Sequence, residues 1–218
     1  MRFKAVIFDL DGTLLDTIGD LARSMNIVLE RFGFPGHDVE TYKTFVGDGL
    51  EMLVRRSMPE AVREDGGLRS RCIQAMRDEY HRRRKETTGP YPGIPELLDE
   101  LAARQLKMAV LSNKPHAPTR LLVEELLPKW RFDAVVGESP ETPRKPDPAG
   151  ALAIARSLGL EPRHFVFVGD TGIDMKTADA AGMHPVGALW GFRAADELLA
   201  AGARHLLHEP LDLLPLVS

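Results

Sequence analysis

The 218-residue chain carries 28 Lys and Arg against 32 Asp and Glu, a formal net charge of -4 at pH 7, and it is long enough to bury one large core or two smaller ones. That balance argues against a dedicated nucleic-acid binder, whose field is normally basic, and no apolar stretch approaches the length of a membrane span. A single cysteine, Cys72, which cannot form an internal disulfide, and a first strand that begins too early to leave room for a signal peptide, point to the cytoplasm.

The chain opens on Ala5-Val6-Ile7-Phe8, an unbroken apolar run bounded by polar residues, which predicts a strand buried on both faces of a parallel sheet. Asp9 and Asp11 follow two apart as the strand gives way to a loop, so their side chains start from the same face, and Gly12 lets the backbone turn tightly beside them. Two carboxylates aimed at one place need a cation, a shared proton or a division of roles. The pattern then turns helical: Ile18, Leu21, Ala22, Met25, Val28, Leu29 and Phe32 recur at helical spacing, with Asp16 or Thr17 to cap the start and Gly33 to end it. Asp38 caps a second helix through Val46, Gly47-Asp48-Gly49 breaks it, and a third follows with Leu50, Leu53 and Val54 on one face. Pro59 and Gly66-Gly67 bound a short piece before a longer helix from about Leu68 to Lys85, with Cys72 one of its small apolar residues. Its basic end, His81 to Lys85, reads as a solvated face in a chain that is acidic overall.

Residues 17–87 thus hold no convincing strand. The Pro- and Gly-dense segment Thr87 to Gly93 predicts a restricted linker. Beyond it, helices near 94–104, 116–127, 147–158 and 172–182 alternate with strands at Lys107–Leu111, Asp133–Val136, Phe165–Val168 and Pro185–Ala188. The expectation is an α/β fold: a doubly wound parallel sheet with right-handed crossovers, built from residues 1–15 and 89–218, with a small all-α domain of residues 16–88 inserted after the first strand.

Ligands of an open parallel sheet bind beyond the carboxyl ends of its strands. Those ends carry Asp9 and Asp11 after the first strand, Ser112-Asn113-Lys114 after Leu111, Lys145-Pro146-Asp147 in the loop beyond Val136, and Gly169-Asp170-Thr171 with Asp174 after Val168. All are groups that a phosphate and a divalent metal require. The seven histidines show no metal-binding spacing, His116 and His184 read as structural, and Trp190-Gly191-Phe192 reads as a packed apolar loop before a pocket rim.

The block Asp9-x-Asp11-Gly12-Thr13-x-x-Asp16 resembles the first motif of the haloacid dehalogenase superfamily, specifically of its aspartate-nucleophile phosphatases. Ser112, Lys145 and Gly169-Asp170-x-x-x-Asp174 are similar to its second, third and fourth motifs, in its order, and the helical insert resembles its cap. Within the insert, Phe45 to Leu50 with Arg55 and Arg56 looks most like the phosphoglycolate phosphatase branch. The resemblance implies Asp9 as the nucleophile that forms an aspartyl-phosphate, and Asp11 as the acid for the leaving alkoxide and later the base for water. It implies Mg2+ held by Asp9, the Asp11 carbonyl and Asp170, with Asp174 adjacent, directly or through water. Lys145 and Ser112 would hold the phosphoryl oxygens, with amides near Gly12, Thr13 and Asn113. Gly47, Asp48, Gly49, Arg55 and Arg56 are the residues expected to meet a short carboxylate, so the implied partner is a small phosphate ester, 2-phosphoglycolate first, and neither nucleic acid nor membrane. Pyrophosphate, nucleotide and sugar phosphates stay open, as does monomer or homodimer. The presence of Asp11 argues against a dehalogenase, and apolar Leu50, where relatives carry a cap lysine or arginine, against phosphonate cleavage and sugar-phosphate mutation. A phospho-aspartate receiver is the rival from another class, disfavoured by the length and the insert. The linkers at 14–16 and 89–93 are the expected hinge of the cap.

Overall fold

A computed structural model describes residues 3–217. Strand β1 (Ala5–Phe8) leads into the short β2 (Leu15–Asp16), then helices α1 (Ile18–Arg31), α2 (Val39–Phe45), α3 (Leu50–Ser57) and α4 (Gly66–Arg83). After β3 (Gly89–Pro90) the elements alternate: α5 (Ile94–Ala103), β4 (Lys107–Pro115), α6 (His116–Leu126), β5 (Ala134–Glu138), α7 (Ala149–Ser157), β6 (Phe165–Gly169), α8 (Gly172–Ala180), β7 (His184–Ala188), α9 (Ala195–Ala200) and β8 (His205–Leu207). The chain divides into two compact units, one running up to Leu15 and from Pro90 onward, the other Asp16–Gly89. β2 and β3 pair as a two-stranded ribbon where the chain leaves the first unit and returns to it.

The first unit is a six-stranded parallel sheet in the order β5-β4-β1-β6-β7-β8. Apolar residues alternate faces with the pleat. Val6, Phe8, Met108, Val110, Val166 and Val168 join one core with Leu97, Leu98 and Leu101 of α5 and Leu122 of α6. Ala5, Ile7, Ala109, Leu111, Phe165 and Phe167 join the other with Ala151 and Ile154 of α7 and Ala178 of α8. Burial on both faces explains why these strands are continuous apolar runs. The connections after β1 and β6 leave toward opposite edges, so the switch point of the sheet, where such folds bind ligands, lies between those two neighbours.

Two boundaries and two further elements differ from the expected ones in informative ways. β4 runs on to Pro115, so Ser112, Asn113 and Lys114 belong to the strand's end rather than to a loop. α4 begins at Gly66, because Asp65 caps it by accepting from the Leu68 N–H at 3.0 Å, which carries the helix through both glycines. β8 and α9 were not expected at all.

The second unit packs α1 to α4 around Leu21, Met25, Leu29, Tyr42, Val54 and Met76, all buried. The Thr17 side chain makes no capping bond at the start of α1, and Asp16 reaches the Ile18 N–H only at 3.4 Å. Asp20, one turn on, is fully buried instead. It accepts the Thr87 and Thr88 N–H groups at 3.0 Å and both their hydroxyls at 2.7 Å, tying α1 to the end of the unit.

Candidate active site

β1 delivers its first carboxylate in register. The Asp9 N–H donates to the Val168 carbonyl at 2.9 Å, continuing the β1–β6 ladder by one residue. A tight turn follows in which the Gly12 N–H donates to the Leu15 carbonyl at 2.9 Å and the Thr13 N–H to the Leu10 carbonyl at 3.3 Å. These amides close the turn, so the amides expected to cradle phosphate near Gly12 do not include these two. Gly12 has φ +86°, and a Cβ there would stand 2.3 Å from Asp170 Oδ2. Glycine is required both by the left-handed backbone and by the carboxylate pressed against it.

β6 delivers Asp170, and the first turn of α8 delivers Asp174. Asp174 takes part in a capping box: its Oδ2 accepts from the Thr171 N–H at 3.0 Å and hydroxyl at 2.7 Å. Its Oδ1 is left for Lys145, whose Nζ lies 2.6 Å away and 2.9 Å from Asp9 Oδ1. Asn113 fixes that lysine from the backbone, accepting from the Lys145 N–H at 2.7 Å and donating to its carbonyl at 3.1 Å. The Asn113 side chain therefore serves Lys145. Ser112 is buried beside it, its Oγ accepting the Lys114 N–H at 3.3 Å.

Asp11 has a partner that sequence reading missed. Lys114 Nζ donates to both its oxygens, at 2.9 and 2.8 Å, with both side chains largely buried. The two carboxylates of the first motif are thus divided between two ammonium groups, Asp9 facing Lys145 and Asp11 facing Lys114. The signal present in the sequence was a lysine two residues beyond Ser112, to which no role was attached.

Asp9, Asp170 and Asp174 each offer an oxygen within 4.8 Å of the others. Burial pushes the Asp9 carboxyl from an ordinary 3.8 up to about 7, Lys145 opposing and Asp174 and Asp11 adding to the rise. Asp170 is raised well above its ordinary range by burial first and then by Asp174 and Asp9, against donors from Phe192 and Thr13. Lys145 moves the other way: burial disfavours its charge, but Asp174 and Asp9 hold it protonated well above the ordinary range. Three buried carboxylates against one ammonium leave negative charge in excess. An all-oxygen donor set of this kind fits a hard divalent cation such as Mg2+, which would offset both the burial and the added repulsion that raise Asp9 and Asp170.

The residues expected to meet the substrate lie in the helical unit. Arg56 donates to the Phe45 carbonyl at 3.0 Å and pairs with Asp48, bracing the turn in which Gly47 and Gly49 have φ +119° and +84°. Arg55 pairs with exposed Glu64.

The family model of the haloacid dehalogenase-like hydrolases matches residues 6–188. The chain is 34% identical over 215 residues to a phosphoglycolate phosphatase of Chromobacterium violaceum, covering 98% of this chain and 97% of the relative. It is 35% identical over 186 residues to one from Nitrosospira multiformis, covering 84% and 82%. Among solved structures it is similar to a chain from Lactobacillus delbrueckii subsp. bulgaricus, with TM-score 0.92, 33% identity and coverage of 100% and 99%. It is also similar to a haloacid dehalogenase-like family hydrolase from Streptococcus pneumoniae, with TM-score 0.88, 25% identity and coverage of 99% of each chain.

Proposed function

The chain belongs to the haloacid dehalogenase-like hydrolases, and we propose that it is the family's phosphatase for a small anionic monoester, 2-phosphoglycolate, acting with Mg2+ through a phospho-aspartate. The observation that carries this reading is the convergence of Asp9, Asp170, Asp174 and Lys145 at the switch point, with Asp11 two residues beyond Asp9 and held apart by Lys114. Phosphate monoesters hydrolyse so slowly unaided that a nucleophile, charge neutralisation and an acid for the leaving group must all be supplied.

Asp9 is the nucleophile. One of its oxygens bonds to phosphorus as the ester P–O bond breaks, and the departing alkoxide takes a proton from Asp11. Asp11 then accepts a proton from water as that water attacks the acyl-phosphate, which returns the Asp9 carboxylate and inorganic phosphate. Lys145 and the Ser112 hydroxyl hold phosphoryl oxygens. Asp9, the Asp11 carbonyl and Asp170 would hold the cation, with Asp174 beside them. When bound, Mg2+ supplies neutralisation of the anionic carboxylates and phosphoryl oxygens.

The substrate rests on the relatives, which carry the name phosphoglycolate phosphatase. Within the helical unit, Arg56 braces the Gly47–Gly49 turn, the segment that resembles the phosphoglycolate phosphatase branch. The test is phosphate release from a panel of small esters with and without Mg2+, comparing the native chain with Asp9→Asn. Metal-dependent release that prefers phosphoglycolate and vanishes in the variant is expected. Comparable turnover across sugar phosphates would defeat the substrate, and no release from any ester by the folded chain would defeat the phosphatase.

A further inference from the structure

In the loop after β7, Trp190-Gly191-Phe192, Trp190 packs against the core and Phe192 is buried, but packing does not account for what the loop's polar atoms do. β7 lies beside β6 with Gly187 opposite Gly169, so the residues beyond Ala188 reach over Asp170. The Phe192 N–H donates to Asp170 Oδ2 at 2.9 Å. The Trp190 indole N–H donates to the Thr13 carbonyl at 2.9 Å, and the Thr13 hydroxyl in turn donates to Asp170 Oδ1 at 3.1 Å. Both carboxylate oxygens are thereby held, one from each side of the loop's reach.

Between these contacts the backbone itself closes on the carboxylate. A Cβ on Gly191 would stand 2.2 Å from Asp170 Cβ and 2.5 Å from the Gly12 carbonyl, and one on Gly12 would meet Asp170 Oδ2 and the Phe192 ring. Asp170 sits between two glycine backbones with no space for a methyl group on either. Left to itself, a carboxylate beside Asp9 and Asp174 would turn away from them, because like charges in a buried space repel.

We infer that Trp190, Gly191 and Phe192 form a positioning clamp that holds the Asp170 carboxylate toward Asp9 and Asp174, and so sets the affinity of the site for its divalent cation. The inference rests on the metal-dependent reading above. Groups that orient a metal ligand in this way alter affinity by about 10- to 100-fold when lost.

The test is a Mn2+ titration, read from the paramagnetic resonance of free Mn2+, because Mn2+ takes the same oxygen donors. Wild type, Gly191→Ala and Trp190→Phe are compared, with thermal melts in EDTA alongside. Gly191→Ala is expected to bind Mn2+ at least about tenfold more weakly, and Trp190→Phe, which removes the indole donor and keeps the ring, more weakly than wild type by a smaller factor. In steady state the KM for Mg2+ rises while kcat at saturating Mg2+ stays within a few-fold. A lower melt in EDTA with wild-type Mn2+ affinity would reduce the loop to packing and overturn the clamp. If Gly191→Ala does not fold, Trp190→Phe decides by the same titration: weaker binding supports the clamp and unchanged binding overturns it. A wild-type chain that binds no Mn2+ would overturn the metal-dependent reading, and the clamp with it.

Discussion

Replacing Lys145 with methionine keeps an unbranched side chain of similar length and removes the ammonium. In the native chain Nζ lies 2.9 Å from Asp9 and 2.6 Å from Asp174, with side-chain exposures of 3% for Lys145, 9% for Asp9 and 0% for Asp174. Removing one partner of so buried a pair leaves uncompensated charge, which costs about 3–5 kcal/mol. Here two carboxylates lose that partner and Asp170 adds a third nearby, so the upper half of that range is expected. Urea unfolding in EDTA at pH 8, where proton uptake relieves the carboxylates least, measures the loss. Excess Mg2+ should stabilise Lys145→Met more than wild type, since a divalent cation among the same oxygens replaces part of the missing charge. Phosphate release should fall by roughly 10³-fold, the equivalent of a unit charge pair worth about 4 kcal/mol at 4 Å and an effective dielectric near 20. A variant as stable as wild type in EDTA, or one that Mg2+ stabilises no more than wild type, would refute the argument that Lys145 compensates this cluster.

Two further predictions concern stability away from the reacting groups. Asp20→Asn removes an acceptor oxygen from the Thr87 and Thr88 donors and should cost on the order of 3 kcal/mol in urea unfolding. Burial raises the Asp20 carboxyl, but those donors outweigh it and hold the carboxyl below its ordinary 3.8, so its contribution is present above that value and is lost as pH falls through the lower folded value. His184 behaves oppositely to a paired histidine. Burial, then His205 and Arg204, lower it from 6.5, so the folded state resists protonation and stability falls as pH drops below about 6.5. His184→Asn should flatten the unfolding midpoint between pH 7.5 and 5.5, and an unchanged slope would exclude His184 as its source.

How much of this was legible follows from where each interaction is encoded. β1 and β6 declare themselves because strands buried on both faces are continuous apolar runs, and the acidic groups at their ends can be located by counting from those runs. β8 could not be read: it is three residues at the sheet edge, only one of them buried, with no period to detect. Lys114 was passed over because its partner Asp11 lies 103 residues earlier; nothing local marks a lysine as buried. Asn113 was read for its backbone N–H, and the work of its side chain, which bonds the Lys145 backbone from 32 residues away, had no local signal. The clamp was least visible of all, since it acts through one backbone N–H, one indole N–H and the absence of a Cβ, none of which alters the apolar character of Trp190-Gly191-Phe192.

The division of the two motif aspartates between two lysines leads to a test of which step Lys114 serves. If Asp11 is the acid for the leaving group, its importance depends on how badly that group needs a proton. An alkyl phosphate such as phosphoglycolate releases a strongly basic alkoxide, whereas p-nitrophenyl phosphate releases a stable phenolate that departs without one. Lys114 grips both Asp11 oxygens, at 2.9 and 2.8 Å, so Lys114→Met removes the ammonium that holds Asp11. The expected result is a kcat loss for phosphoglycolate at least about tenfold larger than for the first, burst-phase cleavage of p-nitrophenyl phosphate, given the 10²–10⁴ that acid catalysis contributes. Equal losses on both esters would mean that Lys114 acts on the phosphoryl group instead, and that the pairing seen with Asp11 is the resting position of a phosphate ligand.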